Sequence, residues 1–337
     1  MKSTYVEFTR QGEVQLRNEE VPAEGLGPTE VLIRNETSMI SAGTELARLH
    51  GLEPGTTFPV RPGYGSVGRV LARGDQAADV AVGQRVFYAG KHASLQRFTH
   101  GANHQWGYLF GVPEELDPVA AAVACMAEIA MTAPECTELA LNDTVAVFGL
   151  GLVGLLAAQM YQLRGGRVIG VDPVKRRCEL ARSVGIATVV DAAPRDQVQA
   201  VRDLTAGEGA QVCVDATGLS AAAVSCVKAA ALFGQVVLLG TPRAPLQGNI
   251  TEALADIHTN GLVVRGAHMW RYPVRPDRNC RRSVTWMFAN TFELIRSGKL
   301  KVRELVSHVV RPEQVGEAYE GLQNKRDEYT GVVIDWR

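Results

Sequence analysis

The stretch TVAVFGLGLVGLLAAQ joins one apolar run to another through Gly149, Gly151 and Gly154. Glycines at this GxGxxG spacing confine the chain to a strand, a tight turn and a helix. The first permits the reversal, the second lets a ligand approach the main chain, and the third brings the helix close onto the strand. A second apolar run, RVIGVD, ends in Asp172, 18 residues beyond Gly154. An acid at that place meets the ribose of a dinucleotide whose pyrophosphate lies on the helix N-terminus. Asp172 suits a free ribose diol and would repel a 2′-phosphate, which favours NAD over NADP. The adjoining Lys175, Arg176 and Arg177 leave two readings open: a phosphate-binding group, or a solvated helix face.

The same alternation continues through ATVVD, RDQVQAVRDLT, QVCVDAT, SAAAVSCVKAAALF, QVVLLG, TEALADIHTNG and LVVRGA. Six strands with intervening helices predict an α/β fold, a doubly wound parallel sheet of the Rossmann type, over residues 127–269. The flanks read differently. EVLIRN, VGRVLAR and GQRVFYAG are short β-like runs between Gly and Pro turns, so residues 1–126 and 270–337 predict a β-rich, antiparallel, barrel-like domain. The tail supplies a helix at TWMFANTFELIRSG, a strand at LVSHVVR, a helix at PEQVGEAYEGLQ and a last strand at GVVIDW.

With 35 Lys and Arg against 36 Asp and Glu, no charge imbalance points to nucleic acid or an anionic membrane. No run of about 18 apolar residues suggests a membrane span, and the first residues lack a signal-like apolar stretch, so a cytoplasmic address is expected. The six cysteines show no CxxC spacing and read as reduced, mostly buried thiols.

ISAGTE, PGYGSVGRV, GQRVF, VDATG, VVLLGT and AYEGLQNKRDEYTGVVIDW give the whole chain a resemblance to the medium-chain dehydrogenase/reductase superfamily. ISAGTE and PGYGSVGRV are most similar to its branch of bacteriochlorophyll-pathway hydroxyethyl dehydrogenase and bacterial sugar or cyclitol oxidoreductases. The resemblance implies a GroES-like catalytic domain beside the Rossmann domain. It also implies cofactor contacts at Gly149, Gly151, Leu152, Val153, Gly154, Asp172, Arg177, Thr217, Gly240 and Met269, and a homodimer formed through the last Rossmann strand, LVVRGA.

Zinc members of that superfamily take ligands from three places. Here Ser41 or Ala42 stands at the first, Tyr64 and Gly65 stand for the His and Glu of the second, and only Cys125 falls at the third. One thiolate cannot hold a catalytic zinc that takes three protein ligands, so no metal is expected. His50, His92, His100 and His104 form another conceivable ligand set, at irregular spacing.

Thr44 occupies the place of a proton-relaying hydroxyl, with Glu45 beside it. Because the resemblance puts its phenol near the vacated metal position, Tyr64 is the leading candidate to take the proton from that hydroxyl and to hydrogen-bond the reacting oxygen; otherwise it fills the space left by the metal. Glu128 is either a carboxylate near the nicotinamide, a buried partner for Arg, or a helix N-terminal charge. His104 is either a loop group reaching a cleft or a surface residue. Trp106, Tyr108, Phe110, Trp270, Tyr272 and Trp286 are candidates for an apolar or sugar-stacking wall, or for ordinary core.

The expected function is a zinc-independent, NAD(H)-dependent interconversion of a secondary alcohol and a ketone on a small molecule, with Thr44, Tyr64 and Glu128 as catalytic candidates. The alternatives are an NADPH-dependent enone, enoyl or quinone reductase, and an inactive NAD(H)-binding sensor or partner-binding protein.

Overall fold

The computed structural model describes residues 1–101 and 105–337, so His104 lies outside the described residues. The chain divides into two compact units. One comprises Met1–Cys125, Tyr272–Gly298 and Leu305–Arg337, and the other Met126–Arg271 and Lys299–Glu304.

In the first unit, β1 (Lys2–Arg10) and β2 (Glu13–Glu20) form an antiparallel hairpin, and β3 (Glu30–Met39) leads into α1 (Ala42–Leu49). Then follow β4 (Ser66–Arg73), β5 (Arg85–Tyr88), β6 (Leu95–Thr99) and β7 (Leu109–Gly111). β3 is the hub, pairing β4 along most of its length and β6 over Glu30–Arg34. β5 extends the sheet from β4, and β7 extends it from β5. The short helix α2 (Pro118–Ala122) is capped by Asp117, which accepts the Val119 N–H, and α3 (Ala124–Cys136) begins at the end of this unit and runs on as the start of the second.

The second unit alternates β8 (Thr144–Phe148), α4 (Leu152–Leu163), β9 (Arg167–Asp172), α5 (Lys175–Ser183), β10 (Thr188–Asp191) and α6 (Pro194–Leu204). It continues with β11 (Ala210–Asp215), α7 (Ser220–Ala229), β12 (Ala230–Leu238), α8 (Ile250–Thr259) and β13 (Val263–Gly266). The strands lie in the order β10-β9-β8-β11-β12-β13, every pair parallel. Order reverses between β8 and β11, which puts the ligand crevice of such a sheet outside the carboxyl ends of its strands. Phe148, Val171, Val201, Cys213 and Val236 are core residues.

The tail returns to the first unit with α9 (Val284–Arg296), β14 (Val306–Val310), α10 (Val315–Asn324) and β15 (Gly331–Asp335). β15 pairs β3 antiparallel and closes a core with Phe8, Ile40, Tyr319 and Val332.

Two local expectations need correction. The run SAAAVSCVKAAALF is helical only to Ala229, because Ala230 pairs with Ala210 and the chain continues as β12. Sheet pairing there overrides the helix propensity of alanine. Finally, β14 and β15 run parallel, because α10 carries the chain back over the sheet between them. Among the described residues, no helix is long and apolar enough to cross a membrane.

Candidate functional site

The end of β3 and the PGYG turn meet through the Met39 N–H, which donates to the Gly65 carbonyl at 2.9 Å. This brings Ser41 and Tyr64 together. Ser41 is the N-cap of α1, yet its hydroxyl makes no cap bond and instead accepts the Tyr64 O–H. The half-buried Thr44, on the first turn of α1, stands close enough to the phenol to act against the rise in its pKa. Cys125 completes the group. A Cβ on Gly65 would lie 2.9 Å from the Cys125 Sγ, so glycine is what lets the thiol approach the turn. The structure thus gathers Ser41, Thr44, Tyr64 and Cys125, and selects Ser41 of the two residues at the first vacated ligand position. Burial, with the neighbouring Cys125, pushes the Tyr64 phenol well above its ordinary pKa. It stays protonated at neutral pH and acts as a hydrogen-bonding group, not as a base.

Behind this cluster lies a network that the sequence did not disclose. Glu45 and His92 are both fully buried, with His92 Nε2 3.0 Å from Glu45 Oε2. A carboxylate only accepts, so Nε2 donates. Glu45 Oε1 accepts the Ser41 N–H at 2.9 Å, reaching back as a capping-box acid does, one position later in the helix. The Tyr319 hydroxyl from α10 also donates to Glu45. On the far side of the ring, His92 Nδ1 is 2.8 Å from Ser38 Oγ, which accepts the Trp336 indole N–H at 2.9 Å. Burial acts to raise the Glu45 pKa, but His92, Tyr319 and the Ser41 N–H outweigh it and hold the carboxyl below its usual range.

An aromatic chain leads away from Tyr64. Its ring centroid is 5.3 Å from that of Trp106, and Trp106 is 6.4 Å from Tyr108. Tyr108 stacks on Phe110 at 5.4 Å, and both meet Phe288 of α9. Three of the six aromatic candidates therefore join Tyr64. Phe288, which sequence reading missed, is the hub.

In the second unit, Gly149 has φ +94°, and Gly154 has no room for a Cβ, which would lie 1.8 Å from the Gly149 carbonyl oxygen. Gly151 faces open space. It caps α4 without a side-chain bond, and no acid occupies the first turn, so the N–H groups around Leu152 and Val153 remain available to an anion. Asp172 is buried and accepts the Leu150 and Val174 N–H groups, each at 2.8 Å, one on each carboxylate oxygen. Each oxygen keeps acceptor capacity.

Arg177 Nη1 lies 3.5 Å from Asp172, whereas Lys175 and Arg176 are exposed. Thr217 follows β11 and donates its hydroxyl to Asp215 at 2.6 Å. Gly240 follows β12, its N–H bonded to the Asp215 carbonyl at 2.8 Å. Met269, after β13, is buried. These residues all lie just beyond carboxyl strand ends of the sheet.

Glu128 is fully buried on α3, and neither carboxylate oxygen has a hydrogen-bond partner. Burial alone raises its pKa to about 8. Two of its three readings fall here. No arginine pairs with it among the described residues, and it lies beyond the first turn of α3, where no acid is found, so it is not an N-terminal charge.

Of the four candidate histidines, the three that are described do not converge. His50 meets Gln323, His100 meets Asp79, and His92 meets Glu45 and Ser38. Among the described residues, no three His, Cys, Asp or Glu side chains are grouped to hold a metal ion. A thiol, a serine hydroxyl and a protonated phenol do not make a donor set for catalytic zinc.

Residues 27–137 match the family described as alcohol dehydrogenase GroES-like domain, and residues 153–283 the one described as zinc-binding dehydrogenase. The uncharacterized zinc-type alcohol dehydrogenase-like protein YdjJ of Escherichia coli (strain K12) is 23% identical over 368 residues, covering 99% of each chain. D-guloside 3-dehydrogenase of the same strain is 25% identical over 254 residues, 75% of this chain and 71% of that one. The crystal structure of galactitol-1-phosphate dehydrogenase from Escherichia coli matches with a TM-score of 0.83 at 18% identity, covering 98% of this chain and 99% of that one. With family matches over both the β-rich and the parallel-sheet parts, the chain belongs to the medium-chain dehydrogenase/reductase superfamily of oxidoreductases.

Proposed function

We propose that the protein interconverts a secondary alcohol and a ketone with NAD(H) and without zinc. The observation that carries this reading is the cluster of Ser41, Thr44, Tyr64 and Cys125, in which hydroxyl groups replace metal ligands. When bound, the nicotinamide supplies or accepts the hydride. The N-terminus of α4, with Gly149, Gly151, Leu152, Val153 and Gly154, would hold the pyrophosphate. Asp172 would take the ribose diol with the lone pairs its backbone bonds leave free, with Arg177 Nη1 3.5 Å from that carboxylate. Thr217, Gly240 and Met269 would line the nicotinamide end. Thr44 and Tyr64 would hold the substrate oxygen, and the Trp106–Tyr108 wall would shield an apolar or sugar-ring face of the substrate from water.

Fluorescence titration should show NADH binding more tightly than NADPH, with Asp172→Ala narrowing the gap. A panel of secondary alcohols and ketones should then show NADH formation or consumption. Preference for NADPH with turnover confined to enones or quinones would overturn the assignment, and tight NADH binding without turnover of any of these compounds would favour a sensor.

The second unit also suggests assembly. Among the described residues β13 pairs only with β12, its Val263 and Val264 are 42% and 43% exposed, and α8 exposes Ile250 and Leu254. An unpaired apolar strand edge is a surface for a second copy. Light scattering should therefore find a homodimer, and a monomer at micromolar concentration would count against pairing through β13.

A further inference from the structure

Glu128 is the one fully buried carboxyl group among the described residues with both oxygens unpartnered. No charged side chain contributes to its pKa shift, which burial alone produces. A carboxylate so placed would be a buried charge without compensation, whereas the protonated acid is tolerated. At neutral pH the group is accordingly a carboxylic acid, with one O–H to donate and one carbonyl oxygen to accept.

Its place in the fold suggests what it meets. Residues four apart share a helix face, so Glu128 lies on the same face of α3 as Thr132. The Thr132 hydroxyl reaches the Ala267 carbonyl at 3.3 Å, and the Ala267 N–H donates to the Leu238 carbonyl at 2.9 Å. That face is therefore turned toward the carboxyl ends of β12 and β13, the side of a doubly wound sheet where ligands sit. Gly240 and Met269 follow those same two strands.

We propose that Glu128 reads the carboxamide of the nicotinamide ring, donating its O–H to the amide carbonyl and accepting an amide N–H on its other oxygen. A primary amide offers an acceptor and a donor side by side, and a neutral carboxylic acid offers the complementary pair in one plane. This role rests on the nicotinamide reading above and makes Glu128 a cofactor-recognition residue, where sequence reading had it as a catalytic candidate of unspecified role.

The test is a fluorescence titration of the intact protein with NADH and with reduced 3-acetylpyridine adenine dinucleotide, whose methyl ketone keeps the acceptor and lacks the N–H donors. ADP-ribose, displacing bound NADH, serves as a control without the ring. The unmodified protein should prefer NADH by roughly tenfold, the scale of one lost buried hydrogen bond. Glu128→Leu should abolish that preference and weaken NADH binding by a similar factor or more, with ADP-ribose affinity unchanged. Glu128→Gln, which keeps one donor and one acceptor, should retain the preference.

NADH affinity of the unmodified protein should fall as pH rises through about 8, where the acid ionises and loses its donor, and should stay flat in Glu128→Gln. An undiminished preference for NADH in Glu128→Leu would overturn the carboxamide role alone. ADP-ribose binding without any gain from the nicotinamide ring in the unmodified protein would overturn the nicotinamide reading and this role with it.

Discussion

Replacing His92 by leucine is expected to destabilise the protein by about 1–3 kcal/mol, the cost of leaving a buried carboxylate without one of its hydrogen-bond donors. The His92 and Glu45 side chains have no solvent exposure, so water cannot take over the lost hydrogen bond. Glu45 would keep only the Ser41 N–H and the Tyr319 O–H. The double variant Glu45→Met, His92→Leu should cost less than the sum of the single changes, because it leaves no buried charge behind. Denaturant unfolding of the four proteins gives the cycle, and a single-variant loss under about 1 kcal/mol would show that the pair contributes little.

The same network fixes a pH dependence. The Glu45 carboxyl is held below its ordinary range, so its contribution to stability is fully present above the unfolded value of about 4.3 and is lost as pH falls through the folded one. Acid sensitivity in that window should diminish in Glu45→Gln.

The second large effect is catalytic. Tyr64→Phe and Thr44→Val each remove one hydroxyl from the cluster, and each should lower kcat by roughly tenfold to a thousandfold, the range seen when one donor to a reacting oxygen is lost. Cofactor affinity should change little, because neither residue belongs to the glycine turn or to Asp172. Since burial keeps the phenol protonated, Tyr64 should impose no titration of its own on the pH–rate profile near neutrality. If both variants retain unmodified kcat, the substrate oxygen is held elsewhere.

The parallel sheet was legible because its signals are local. A glycine needed for φ +94° at residue 149 and an acid at the end of β9 are fixed by a few neighbouring residues. The ladder of apolar runs supplied the strand count, and β12 ran past its expected start only because pairing with β11 outcompeted an alanine-rich helix.

In the β-rich unit the distances are longer. Glu45 is tied to His92 across 47 residues and to Tyr319 across 274, and no periodicity or spacing encodes such a meeting. His92 was visible only as one of several scattered histidines. For Ser41 and Tyr64, alignment with a family's ligand positions stood in for the missing local signal. The resemblance named the positions but not the bond between them. Glu128 was legible as an anomaly, yet its lack of partners follows from tertiary burial and from nothing in VACMAEIAMTA itself.

In the proposed reading, hydroxyl groups hold the substrate oxygen without a metal ion. The most direct measurement is metal content by elemental analysis of the purified, active protein, together with turnover before and after dialysis against a chelator. Zinc far below one atom per chain and turnover unchanged by the chelator are the expected results. One zinc per chain, with turnover lost to the chelator and restored by added Zn²⁺, would contradict it.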